Sequence, residues 1–135
     1  MNLREAMAAI KHISKKMKNW LKSFGSAIIS LNNLLDINKE EITIKVVMGI
    51  WCPDSRREVP RFMRILNTWQ FPAAKVTFIG VDDAKLSPVG EYTGLNIQRV
   101  PTFILYKNNI EAGRIIENPA TSLEQDLVNI LTQKE

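Results

Sequence analysis

Residues 42–58, ITIKVVMGIWCPDSRRE, place a β-branched run before a short turn and a polar stretch, and this order indicates a strand followed by a helix. The run from Ile42 to Ile50 is typical of a buried strand. Ser55 and Glu58 have the Ser-x-x-Glu spacing of a capping box, which predicts that a helix begins there. Cys52, the only cysteine of the chain, lies between these two elements.

A thiol in this position meets unpaired backbone N–H groups and the positive end of the helix dipole. Both favour the thiolate, which is the reactive form of cysteine. The cations Arg56 and Arg57 favour it further, whereas Asp54 opposes them. We therefore predict that Cys52 is a nucleophile, with an unreactive buried cysteine as the alternative.

Two segments together carry a resemblance to a known family. Trp51-Cys52-Pro53-Asp54-Ser55 resembles the active-site turn of the thioredoxin family, in which Trp-Cys-x-x-Cys closes a central strand and opens a helix. Arg99-Val100-Pro101-Thr102 is similar to the family's Val-Pro-Thr segment, whose proline is cis and faces the thiol. The resemblance covers about Asn38 to the C-terminus. It implies an α/β thioredoxin-like fold, with a central mixed sheet flanked by helices.

The resemblance also implies roles for individual residues. Cys52 is the expected nucleophile, and Ser55 takes the place of the family's second, resolving cysteine. Ser55 either bonds the thiolate or caps the helix, and the capping role needs fewer assumptions. Contacts with substrate are expected from the rest of the turn and from the proline segment: Trp51, Pro53, Asp54, Val100 and Pro101. For Trp51, the alternative is packing against the loop before Pro101.

The resolving half of the family's reaction lacks its usual residues here. A serine hydroxyl cannot form the internal disulfide that releases a product. The family's buried aspartate corresponds to Val46, and the lysine that accompanies it corresponds to Phe78. Ordinary thioredoxin turnover is therefore not expected.

Two hypotheses for the function follow. The first is monothiol thiol–disulfide exchange through Cys52, with protein or small-molecule thiols and disulfides as partners and an external thiol as the resolving agent. The second is a non-catalytic domain that keeps the groove for binding proteins, so whether the chain is an enzyme stays open. An exposed Cys52 favours the first hypothesis.

Composition limits the other classes of function. The chain has 135 residues, 45% of them hydrophobic and 24% charged, as in an ordinary single globular domain. One cysteine and one histidine are too few to form a zinc cage. A catalytic Cys–His pair is not expected, because His12 lies in the extension, far in sequence from Cys52. We predict no cofactor and no metal site. An iron–sulfur cluster shared by two monothiol sites normally accompanies a different motif, and Asp82-Asp83 are expected to be a strand end and a solvated loop.

The positive charge is concentrated at the N-terminus. Residues 1–39 contain seven Lys/Arg and two Asp/Glu, a balance of +5 within a total of +4. We divide the chain into a helical extension, residues 1–37, and a thioredoxin-like domain, residues 38–135. Three- and four-residue apolar steps predict one amphipathic helix ending near Gly25, then a short helix over Ser26–Leu35. The apolar steps are at Leu3, Met7, Ile10, Met17, Leu21 and Phe24.

The extension admits three interpretations. We favour packing of its apolar stripe on its own domain, with a homodimer through the helix as the second possibility. The third is contact with anionic lipid through Lys11, Lys15, Lys18 and Lys22. Nucleic-acid binding is not expected, because no aromatic residues interleave this basic face. With no membrane-spanning run and no signal-peptide core, the expected location is cytoplasmic, unless an export signal precedes the given sequence.

The rest of the chain predicts the remaining elements. The helix after Cys52 runs to about Trp69 with Pro60 inside it, and a second strand covers Lys75 to Asp82. Asp83 to Gln98 is loop-rich, with a short helix near Val89–Thr93. A hairpin, Thr102–Lys107 and Ile110–Ile116, turns at Asn108-Asn109. Thr121 and Glu124 predict the cap of a last helix that reaches Leu131.

Overall fold

Strands and helices alternate along the first half of the protein, and a hairpin with a final helix follows. The structure is a computed structural model that describes residues 15–82 and 94–133. Its elements are α1 (Lys15–Leu35), β1 (Ile42–Met48), α2 (Pro53–Trp69), β2 (Val76–Gly80), β3 (Thr102–Lys107), β4 (Ile110–Ile116) and α3 (Leu123–Leu131), with a 3-10 turn at Ala73–Lys75. No helix among these residues is both long and apolar enough to cross a membrane.

The four described strands form one mixed sheet in the order β2-β1-β3-β4. β1 pairs parallel with β2 and antiparallel with β3, and β3 and β4 form an antiparallel hairpin. The hairpin turns at Asn108 and Asn109, with φ angles of 54° and 67°. Asparagine tolerates this left-handed region. The predicted mixed sheet and the predicted hairpin are therefore confirmed.

The central strand β1 contributes buried residues to both sides of the sheet, although Thr43 and Lys45 on its second face are only partly buried. One face contributes Ile42, Ile44 and Val46 to the main core, in which Phe62 of α2 stacks on Phe103 of β3 with ring centroids 4.2 Å apart. The other face contributes to a smaller group, here called the site cluster: Val47, Cys52, Ile79, Val81 and Val100. β1 thus separates the main core from the cluster that holds the thiol.

The extension differs from its prediction in one respect. The predicted end near Gly25 is wrong, because α1 is continuous from Lys15 to Leu35. Gly25 is buried inside this helix, so tertiary packing outweighs the roughly 1 kcal/mol by which glycine disfavours a helix. Leu34 is fully buried in the main core, which agrees with packing of the extension on its own domain.

Some predictions for the extension and the loops lie outside the described residues. These are Leu3, Met7 and Ile10 of the apolar stripe, Lys11, His12, and the short helix near Val89–Thr93. The division at residues 37 and 38 stays a prediction.

Two helices begin at residues other than those predicted. α2 begins at Pro53 with Cys52 as its N-cap, not at Ser55, and proline is well suited to this first helical position because it has no N–H to leave unpaired. α3 begins at Leu123, and its cap is Ser122, whose Oγ accepts from Gln125 N. The predicted cap Thr121 instead donates its hydroxyl to Asp126, over 2.6 Å.

Strand bounds are also shorter than predicted. β1 stops at Met48 and β2 covers Val76–Gly80. The chain turns directly after β1, since Cys52 N donates to Gly49 O. The predicted end of α2 at Trp69 is confirmed.

Candidate functional site

Cys52 stands at the first residue of the turn into α2. It has an extended conformation, with φ −88° and ψ 121°, and its side chain makes no capping hydrogen bond. Its backbone holds the turn instead: Cys52 N donates to Gly49 O over 3.0 Å, and Arg56 N donates to Cys52 O over 3.1 Å. The sulfur is therefore at the positive end of the helix without serving as its cap.

The thiol faces the second segment that the sequence singled out. Cys52 Sγ donates to Val100 O across 3.4 Å, although 48 residues separate the two. Cys52 is free of any disulfide and only 7% exposed. The low exposure differs from what the exchange hypothesis predicts, because the site cluster covers most of the side chain.

The loop that carries Val100 is held by two further hydrogen bonds. Thr102 Oγ1 donates to Arg99 O over 2.6 Å, and Glu117 N donates to Pro101 O over 2.7 Å. The Val100–Pro101 peptide bond is cis. Val100 and Pro101 are both buried, so the acceptor for the thiol belongs to a well-supported backbone.

Ser55 has a role that the sequence did not predict. It is fully buried, and its hydroxyl accepts from Gly49 N over 3.2 Å. It therefore holds the end of β1 against α2. The predicted helix-capping role is wrong, and within the described part of the chain no hydrogen bond joins Ser55 to Cys52.

Trp51 contacts both Gly49 and the residue that follows β2. Its indole Nε1–H donates to Val81 O over 3.2 Å, although Trp51 is exposed, with a relative accessibility of 42%. A Cβ at Gly49 would be 2.7 Å from Trp51 Cε2, so the absence of a side chain at Gly49 makes room for the indole. This contact lies just after the end of β2, and packing of Trp51 against the loop before Pro101 stays a prediction.

Charged groups surround the first turn of α2. Arg57 donates to Asp54 Oδ1 over 2.7 Å and to Glu58 Oε1 over 3.0 Å. The hydrogen bond to Glu58 and then that to Asp54 raise the pKa of Arg57 above its usual value. Pro53 and Arg56 are exposed beside this group.

Glu58 is the functional candidate that sequence reasoning missed. The sequence indicated only a capping-box role for it, but it is buried, with 3% exposed. Its Oε1 accepts from Arg57 and from Arg61, whereas its Oε2 is buried without a hydrogen-bond partner. Arg61, three residues later, was the available signal, because a spacing of three brings charges together on a helix.

Val46 and Phe78 are paired across the parallel strands β1 and β2. The two positions that correspond to the family's aspartate and lysine are therefore neighbours in the sheet. Val46 is fully buried and Phe78 is 46% exposed. An apolar pair at these positions supplies neither a proton acceptor nor a cation. Among the residues the structure describes, no three His, Cys, Asp or Glu side chains are grouped as metal ligands.

Comparisons with known proteins show which family the chain resembles. A family model described as Thioredoxin matches residues 1–129. A protein of Dictyostelium discoideum named "Putative thioredoxin-5" is 30% identical over 98 residues, covering 71% of this chain and 88% of that protein.

Solved structures of similar chains include thioredoxins from two parasites. The oxidised thioredoxin of Plasmodium falciparum is 27% identical, covers 78% of this chain and 88% of its own, and has a TM-score of 0.45. The thioredoxin of Trypanosoma brucei brucei is 22% identical, covers 78% and 87%, and has a TM-score of 0.46.

Proposed function

The chain belongs to the thioredoxin family, and on that premise we propose that it is a monothiol thiol–disulfide exchange protein. Cys52 is the nucleophile, and the groove between the turn and the proline loop receives the substrate. Trp51, Pro53 and Asp54 form one side of that groove, and Val100 and Pro101 form the other. The compartment must supply a thiol, and the cytoplasm is one that does.

The exchange has two balanced steps. The Cys52 thiolate attacks one sulfur of a substrate disulfide, forms a mixed disulfide and releases the other sulfur as a thiolate. An external low-molecular-weight thiolate then attacks the mixed disulfide at the substrate's sulfur. Cys52 leaves as a thiolate, and the substrate leaves as a disulfide with the external thiol.

One observation carries this proposal. The only thiol of the chain is placed at the N-cap of α2 and within 3.4 Å of Val100 O, while its side chain makes no capping hydrogen bond. The thiol is thus held at a helix terminus and beside a backbone to which an extended substrate can align. Ser55, buried and bonded to Gly49, leaves the second step to another molecule.

The second candidate is a domain that binds proteins through the same groove without chemistry. The 7% exposure of Cys52 favours it. Self-association through α1 also stays a prediction under either function.

A direct test uses the reduced protein and oxidised glutathione. We expect mass spectrometry to show one glutathione adduct, located on Cys52, and added thiol to remove it. Cys52→Ala is the control and should form no adduct. A wild-type protein that forms no adduct under conditions that modify free cysteine would favour the binding domain.

A second test restores the missing cysteine. Wild type should show no turnover with a recycling enzyme that reduces only internal disulfides, whereas Ser55→Cys should form an internal disulfide with Cys52 and gain weak turnover. The gain should be partial, because Val46 offers no carboxylate to accept the proton of the new thiol. Turnover by wild type itself would contradict the monothiol mechanism. A Ser55→Cys protein that forms the disulfide but gains no turnover would favour the binding domain.

A further inference from the structure

One guanidinium joins α2 to the loop that follows β4. Arg57 donates through Nη2 to Asp54 Oδ1 over 2.7 Å, and the same atom donates to Asn118 Oδ1 over 3.0 Å. Its Nε donates to Glu58 Oε1 over 3.0 Å. We call Arg57 with these three partners the arginine clamp. A planar guanidinium is suited to this task, since its donors point in fixed directions.

Asn118 connects the clamp to the loop that faces Cys52. It directly follows Glu117, whose N–H donates to Pro101 O and whose φ of 60° is unusual for a residue with a side chain. Glu117 also accepts from Arg99 over 3.2 Å. A short path therefore runs from Arg57 through Asn118 and Glu117 to Pro101, next to the Val100 carbonyl that contacts Cys52 Sγ.

The partners of the clamp differ in how firmly they are held. Glu58 is almost fully buried, with one oxygen unpaired, so it depends on Arg57 and Arg61 for its hydrogen bonds. Asn118 is exposed, and its bond with Arg57 can exchange with water. The contact to Asn118 is therefore the part of the clamp that can open while Arg57 stays on α2.

We propose that Arg57 is a positioning residue that controls access to Cys52 by holding the turn of α2 against the proline loop. With the Asn118 bond made, the thiol is covered as observed. With the bond broken, the loop can separate from the turn and a disulfide can reach the sulfur. This inference rests on the proposed function for its biological meaning, but access to the thiol is measurable without any exchange activity.

The experiment measures the rate of Cys52 alkylation by iodoacetamide from about pH 6 to pH 10, a range that spans the titration of cysteine. The midpoint of the curve reports the charges around the sulfur. The plateau of the rate at high pH, where every thiol is ionised, reports how readily the reagent reaches Cys52. Arg56→Ala is the matched control, because Arg56 carries the same charge at the adjacent position and its exposed side chain has no hydrogen bond or ion pair with any described residue.

We expect Asn118→Ala and Arg57→Ala each to raise the plateau about fivefold, the effect of losing one hydrogen bond of ordinary net strength on a local opening. Arg56→Ala should leave the plateau unchanged. Asn118→Asp should lower the plateau below wild type, because a carboxylate makes a stronger bond with Arg57.

A plateau within twofold of wild type (roughly the scatter expected for a surface substitution) in Asn118→Ala overturns the inference. So does a raised plateau in Arg57→Ala alone, because the path then does not run through Asn118. If Arg57→Ala fails to fold, Asn118→Ala and Asn118→Asp decide the question, since both leave the Glu58 and Asp54 contacts in place. If these plateaus change as expected while oxidised glutathione forms no adduct, the clamp stands and the exchange function fails.

Discussion

The first turns of α2 and α3 both have backbone N–H groups that find no partner within the helix, and the two starts differ in what accepts them. At α3 the side chain of Ser122 accepts a backbone N–H, and the buried Asp126 accepts from Ala120 N and Thr121 N. At α2 the N-cap is Cys52, whose side chain accepts no such bond. We call the start of α3 closed, because a side chain accepts its backbone N–H. We call the start of α2 open, because its N-cap is a thiol that accepts no such bond.

The largest expected effect tests the closed start. Asp126→Ala removes the acceptor for two backbone N–H groups and for the Thr121 hydroxyl. We expect a loss of roughly 3 kcal/mol in the free energy of unfolding, because these donors are left without their charged partner. Urea denaturation measures it. Glu124→Ala, which removes a charge from the same helical turn, is the control and should cost less than about 1 kcal/mol; equal losses would mean that charge, and not hydrogen bonding, closes α3.

The cap of α3 should contribute less than the buried aspartate. Ser122→Ala is expected to cost about 1 kcal/mol, the usual value for losing an N-cap side chain. The same denaturation experiment applies, with Ser122→Asn as a variant that keeps a capping oxygen and should retain most of the stability. An unchanged Ser122→Ala protein would show that Asp126 alone closes this start.

The open start should respond in the opposite direction. Cys52→Ser places a good N-cap residue where none exists, so we expect a gain of about 0.5–1 kcal/mol in stability together with complete loss of the glutathione adduct. Cys52→Ala, which removes the thiol without adding a cap, should show no such gain. A destabilised Cys52→Ser protein would mean that sulfur packing in the site cluster outweighs the missing cap.

The smallest expected effect lies on β4. Arg114 donates to Glu111 on β4, and this hydrogen bond lowers the pKa of Glu111 below its usual value. The stabilisation is therefore present above the unfolded-state pKa and is lost as the pH falls through the lower, folded-state value. We expect Glu111→Gln to cost no more than about 0.5 kcal/mol at pH 7, because the pair is partly exposed. The difference from wild type should shrink as the pH falls through that folded-state value, and growth of that difference at low pH would contradict the assignment.

Elements with a strong local pattern could be predicted from the sequence. The β-branched run before Trp51 indicated the central strand, and the paired asparagines indicated the hairpin turn. The resemblance also brought Cys52 and Val100 together correctly. In each case the signal is a property of neighbouring residues or of a whole motif.

Hydrogen-bond partners could not be predicted in this way. Ser55 and Thr121 both have the spacing of helix caps, yet Ser55 accepts from Gly49 and Thr121 donates to Asp126. A hydroxyl bonds whichever group the fold brings near it, and a local pattern does not contain that information. The contact between Arg57 and Asn118, 61 residues apart, and the burial of Cys52 depend on tertiary packing in the same way.

The contact between Gly49 and Trp51 has a consequence for how this sequence can vary. Any side chain at position 49 begins with an atom 2.7 Å from the indole, a distance that atoms in stable proteins do not keep. A side chain at position 49 therefore requires the indole of Trp51 to move from the place it occupies here. Alanine at position 49 fits the observed backbone where the indole has moved or where a smaller residue has replaced the tryptophan.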